Sequence, residues 1–130
     1  MSDEARQWLV YAEENRQVAR LCRESGLFNP SLHNAQQAVE KALKAMGLAG
    51  GVPLKKTHSI GELRRALVTL GIDPALTEDE SDLLDTIYLP SKYPLGSVLP
   101  SFTPDARTAQ HCLGIADRVL AAAAKLLAPG

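Results

Sequence analysis

Asn29-Pro30-Ser31-Leu32-His33-Asn34-Ala35-Gln36-Gln37-Ala38-Val39-Glu40-Lys41-Ala42-Leu43-Lys44-Ala45-Met46 is the stretch that decides the fold class. Leu32, Ala35, Val39, Ala42, Leu43 and Met46 recur at steps of three and four, the spacing that collects side chains on one face of an α-helix. Asn29 is read as the N-cap and Pro30 as the first helical residue, a position where proline's missing N–H costs nothing. Gly47 to Pro53 then stops the helix.

The same spacing extends in both directions. Upstream, Trp8, Tyr11, Ala12, Asn15, Val18, Ala19 and Cys22 form a stripe that ends at Gly26. Downstream, Ser59-Ile60-Gly61-Glu62 has the capping-box form and leads into Ile60, Leu63, Leu67 and Leu70. Thr77-Glu78-Asp79-Glu80 repeats that form before Leu83, Leu84 and Ile87, which predicts a short fourth helix. From Leu89 to Thr103 the chain carries Pro90, Pro94, Gly96 and Pro100, the composition of a long irregular connection. Thr103-Pro104-Asp105 reads as a cap, a proline at the first position and an acidic residue near the helix dipole. Ala106, Ala109, Leu113, Ala116, Leu120, Ala123 and Leu127 then form the final stripe, with Ala121 to Ala124 as a small-residue patch suited to close helix contact. No period-two alternation is sustained anywhere. The expectation is an all-α, roughly up-and-down bundle of four to five helices, three long and two shorter, forming one domain over residues 1–130.

Composition narrows the function classes. Among the 130 residues, 14 Lys plus Arg stand against 15 Asp plus Glu, and the pI is near 6.3, which disfavours tight binding to a phosphate backbone and makes DNA an unexpected partner. Any anion site must be local. Cys22 and Cys112 are too few for a disulfide scaffold and are read as reduced thiols. The N-terminus lacks a signal-peptide pattern and no run of 18 uncharged apolar residues occurs, so a cytoplasmic protein without a membrane segment is expected. Phosphate-binding loops of the GxxxxGK type, GxGxxG, HExxH, CxxC and GxSxG are all missing from the sequence. His33, His58 and His111 lie in separate segments without ligand spacing, so neither a metal nor another cofactor is expected.

Three polar stretches remain. On a helix, Gln37, Lys41 and Lys44 share one side, with Gln36 and Glu40 on the adjoining strip; the plain structural reading makes Glu40 and Lys44 an exposed pair. Lys55-Lys56-Thr57-His58-Ser59 places two cations and an imidazole before a capped helix N-terminus, an arrangement that attracts phosphate or carboxylate. The alternative for it is a solvated loop. Tyr88-Leu89-Pro90-Ser91-Lys92-Tyr93-Pro94 offers rings for stacking and a cation, or else plugs one end of the bundle.

Together with Trp8 and Ala12, these stretches resemble the HEPN domains, small helical bundles, over nearly the whole chain. The resemblance is closest to the branch encoded beside, or fused to, a minimal nucleotidyltransferase. It implies a homodimer, a nucleotide or RNA ligand and a toxin–antitoxin-like context. The three polar stretches then supply Lys41, Lys44, Lys55, Lys56, His58, Lys92 and Tyr93 as the candidate nucleotide- or anion-binding residues. Lys92 departs from the arginine usual before Tyr-Pro in this branch, keeping the charge and losing the bidentate fork. Ribonuclease members use an arginine and a histidine separated by four to six residues, whereas Arg107 and His111 here have three between them. Non-catalytic binding is therefore the leading expectation. A metal-independent endoribonuclease using Arg107 and His111, and a pure docking module built on the final helix around Ala123, are the alternatives.

Overall fold

Helix ends in this chain are set by backbone chemistry that the residues supply locally. Gly26 at φ +75° lets the chain leave the first helix through a left-handed turn, in which Leu27 N–H donates to the Cys22 carbonyl at 2.8 Å and Gly26 N–H to that of Arg23 at 3.1 Å. The same pair of bonds closes the second helix at Gly51 and the third at Gly71. The computed structural model describes residues 3–52, 56–92 and 104–129, with the backbone alone for 88–92. It contains α1 (Asp3–Glu24), α2 (Phe28–Ala49), α3 (Ile60–Thr69), α4 (Glu78–Lys92) and α5 (Ala106–Leu127), and no strand among the described residues.

Several boundaries differ from those expected. Because the α1 turn closes at Leu27, α2 starts at Phe28 with Leu27 as its cap, and Asn29 lies inside the first turn with its buried Oδ1 unpaired. Pro30 is still tolerated, since the first-turn N–H groups have no intrahelical acceptor. Helix α4 continues through Pro90 to Lys92 rather than stopping before Leu89, because proline in the last turn deletes only one backbone bond. The remainder of the expected connection, 93–103, lies outside the described residues. Asp105, not Thr103, caps α5, accepting from Thr108 N–H at 2.8 Å. Thr77 and Glu80 form a complete capping box, with bonds of 2.9 and 3.1 Å. Only half of the Ser59 box forms: Ser59 Oγ accepts from Glu62 N–H, but the Glu62 carboxylate instead takes the Thr57 hydroxyl.

Helix α2 is the central element and packs against the other four. Ala5 of α1 shares a cluster with Ala45 of α2 and Leu127 of α5, while Arg16 further along α1 meets Asp117 further back on α5. Thus α1 runs antiparallel to both α2 and α5, and α3 with α4 forms the connection between the two parallel long helices. The core holds Leu32, Val39, Leu43 and Met46 of α2 with Ile60, Leu84, Ile87, Val119 and Leu120. Tyr11, Val18 and Leu70, which the sequence pattern places inward, are instead exposed. The inner face of α1 is made by Ala5, Ala12 and Ala19 at seven-residue steps, which lets α1 approach α2 closely and rotates the larger residues outward. Ala123 is fully buried in the core, so a bulky residue there would act on folding rather than on assembly. Burial pushes the Cys112 thiol up to about 12, leaving it protonated and unreactive, and Cys22 is also unpaired.

One acid-sensitive contact ties the α3–α4 connection to α5. Arg118 donates from Nη2 to Glu80 and from Nε to the Ala75 carbonyl at 2.9 Å, supporting Ala75 at φ +55°. The Arg118 hydrogen bond holds the Glu80 carboxyl below its ordinary range. Between the lowered folded value and the ordinary one, the unfolded chain binds more protons, so this contribution is complete above the ordinary range and disappears as pH falls through the folded value. Urea midpoints should therefore fall on acidification below about pH 4.3, and Arg118→Ala should flatten that limb. An unchanged acid limb would remove Glu80 as a source of it.

Candidate functional site

The polar strip of α2 is built into the protein rather than laid on its surface. Glu40 and Lys44 do form the i, i+4 pair, at 3.3 Å, but Glu40 is 3% exposed and Lys44 8%, so the expectation of a solvent-exposed pair is corrected. The reason is that α2 is enclosed on several sides. Lys44 Nζ lies 5.4 Å above the Trp8 ring of α1, a contact that offsets part of the cost of removing an ammonium from water. Glu40 also accepts from His58 Nδ1, its two oxygens lying 3.2 and 3.3 Å away. That contact fastens the segment before α3 onto α2.

Next to this pair, Lys41 Nζ donates to Asn15 Oδ1 at 2.7 Å, and Asn15 in turn donates to Asn34 Oδ1 at 2.9 Å. Gln37 donates to Gln36 Oε1 at 2.7 Å, whereas the fully buried Gln36 amide nitrogen has no hydrogen-bond partner. The strip therefore holds two lysines and one carboxylate in fixed positions, with the 56–59 segment beside them. Lys56 is exposed, and the His58 side chain is 57% exposed while anchored through Nδ1. Such an arrangement suits recognition of a polar or anionic group more than proton transfer, since Glu40 is already occupied twice.

The helix N-terminus behind His58 is not open to an external anion. Asp85 of α4 accepts from Ile60 N–H at 2.6 Å, from Gly61 N–H at 3.0 Å and from the Ser59 hydroxyl at 3.3 Å. A Cβ at position 61 would lie 3.3 Å from Asp85 Oδ2, so glycine there permits the close approach. The chain's own carboxylate thus takes the seat that sequence reasoning assigned to phosphate. Lys44 and His58 are brought together on Glu40, with Lys56 on the adjoining segment, whereas Lys41 is held by Asn15 of α1. Lys55 and Tyr93 lie outside the described residues, as does the side chain of Lys92. Arg107 and His111 are both exposed on α5. No group of three or more His, Cys, Asp or Glu that could hold a metal occurs among the described residues.

Asn15 was visible as a polar residue on the α1 stripe, but nothing in its spacing tied it to Lys41. Asp85 carried no local signal, because its partners are some 25 residues away.

A HEPN domain family model matches residues 5–126. The chain belongs to the HEPN family. A Methanocaldococcus jannaschii protein named "Putative toxin MJ1304" is 26% identical over 128 aligned positions, covering 89% of this chain and 83% of the relative. Among solved structures, TT1696 from Thermus thermophilus is similar with a TM-score of 0.76 and 30% identity, covering 97% of this chain and 100% of that one. ST0689, described as an archaeal HEPN homologue, matches in fold with a TM-score of 0.70 at 24% identity, over 95% and 98% of the two chains. This HEPN chain has no helix, among the described residues, long and apolar enough to cross a membrane.

Proposed function

We propose that this HEPN protein belongs to a toxin–antitoxin-like pair, in which it binds a nucleotide or an RNA end without cleaving it and works with a minimal nucleotidyltransferase. The observation that carries the binding half is the His58–Glu40 contact, which brings the basic segment before α3 against the lysine-bearing strip of α2. Lys56, His58 and Lys41 are the described residues of the proposed site; Lys55, Tyr93 and the side chain of Lys92, which the sequence reading adds to it, lie outside the described residues. Membership of the family and similarity to a protein named as a toxin support the toxin–antitoxin half. The nucleotidyltransferase partner comes from the resemblance of the sequence to that branch.

A thermal-shift and calorimetric titration with ATP, GTP and a short single-stranded RNA, each with and without magnesium, tests this reading. A ligand at about a hundred times its Kd stabilises the native state by about 2.7 kcal/mol, which in a domain of this size raises Tm by several degrees. We expect a saturable rise with at least one ligand, abolished by Lys56→Glu. No rise at any concentration would contradict the binding proposal. RNA cleavage that survives chelator and is lost in His111→Ala would replace it with the ribonuclease reading.

A further inference from the structure

The turn between α3 and α4 is held more firmly than a surface turn requires. Ala75 takes a left-handed backbone at φ +55°, a costly conformation for a residue with a Cβ. Its carbonyl accepts from Arg118 Nε at 2.9 Å and the next one, of Leu76, accepts from Arg64 Nε at 2.8 Å, so arginines of α5 and α3 grip consecutive peptide units. Asp73 Oδ1 closes the turn from within by accepting the Ala75 N–H at 2.9 Å. Ile72 seats the turn on α2, against Gly50, where a Cβ would come within 2.6 Å of its Cδ1. Thus fixed, the turn is a ridge between two open clefts of about 580 and 300 Å³. Ile72 lines both, Ala122 and Leu126 of α5 wall the larger, and Val68 of α3 walls the smaller. Of the four large apolar side chains that the described residues leave exposed outside α1, three, Val68, Leu70 and Leu126, lie beside this ridge. Backbone strain held in place from two sides, next to exposed apolar surface, marks a preformed docking surface.

The charges on its rim select the occupant. Lys125 lines the larger cleft and Arg64 the smaller, one cation for each. Neither has a carboxylate at ion-pair distance among the described residues, since Lys125 has no polar partner there and Arg64 uses only Nε, on a carbonyl. Asp73 is the one acid lining either cleft, and its Oδ1 is committed to the turn. The described residues include no strand whose edge could pair with an extended peptide, so recognition here falls to side chains, as in helix-in-groove docking. We propose that this surface receives an acidic amphipathic helix of a partner protein. Its apolar stripe straddles the ridge and enters both clefts, and carboxylates on the two flanks of the stripe meet Lys125 and Arg64. The inference uses no residue of the nucleotide-binding proposal and is independent of it.

Fluorescence anisotropy tests it, with the full chain titrated into a labelled, end-capped helical peptide that carries Leu at steps of three and four and Glu on both flanks. Saturable binding is expected. Lys125→Glu and Val68→Glu should each weaken it by roughly tenfold or more with the helical circular dichroism unchanged, whereas Val10→Glu, on the exposed face of α1, should leave it as it was. The same peptide with Lys in place of Glu should bind the unaltered protein roughly tenfold more weakly and recover part of that loss with Lys125→Glu, a reversal that general stickiness does not produce. No binding at roughly millimolar protein, equal binding of the two peptides, or an equal loss in Val10→Glu would overturn the assignment. Self-association in sedimentation equilibrium that Val68→Glu abolishes would overturn it too, giving the clefts to a second copy of the chain.

Discussion

Glu40→Ala should destabilise the protein by about 3 kcal/mol, read as a fall in the urea midpoint at unchanged slope. The expected size follows from what remains. Lys44, 8% exposed, would keep its ammonium over the Trp8 ring without its carboxylate, and the contact that fastens His58 would vanish as well. Removing one member of a buried pair leaves an uncompensated charge, whereas removing both does not. Glu40→Leu with Lys44→Met should accordingly recover most of the loss. A cost below about 1 kcal/mol for Glu40→Ala is the behaviour of a solvated surface pair and would contradict the buried arrangement.

Asp85→Ala should cost about 2 kcal/mol for a different reason. It leaves Ile60 and Gly61 N–H without their acceptor at the start of α3, and it cuts the link between α3 and α4. Asn at the same position retains one acceptor oxygen and should lose less. Amide hydrogen exchange reports the mechanism directly: Ile60 and Gly61 should exchange faster in Asp85→Ala, with the protection of the α2 core amides changed far less. Uniform acceleration across α2 and α5 would show that Asp85 acts through the whole fold and not through this cap.

The bundle was legible because its helices carry long, regular apolar stripes, and in α2 the buried apolar face matches the stripe read from its sequence. The errors have local causes. Asn29 and Thr103 both look like N-caps followed by proline, but the turn at Gly26 fixes the start of α2 one residue before Asn29, and Asp105 outcompetes Thr103 by bonding Thr108. Pro90 looks like a stop, yet near the end of a helix it removes a single bond. Tyr11 and Val18 fit the α1 stripe by spacing alone; three alanines at seven-residue steps chose the other face.

The candidate site was half legible. Gln36, Gln37, Glu40, Lys41 and Lys44 lie within nine residues, so their shared side follows from helical geometry. That the side is buried does not, because it depends on how α1 and the segment before α3 close over α2. The bonds from His58 to Glu40, from Lys41 to Asn15 and from Ile60 to Asp85 span 18, 26 and 25 residues, distances at which spacing carries no information.

The most direct test of the account is a two-dimensional amide NMR titration of the protein with the short single-stranded RNA and with ATP. Binding at the α2 strip predicts saturable shifts at Lys56, Thr57, His58 and Lys41, with Arg107 and His111 unmoved. Shifts centred on Arg107 and His111, or none anywhere, would contradict it.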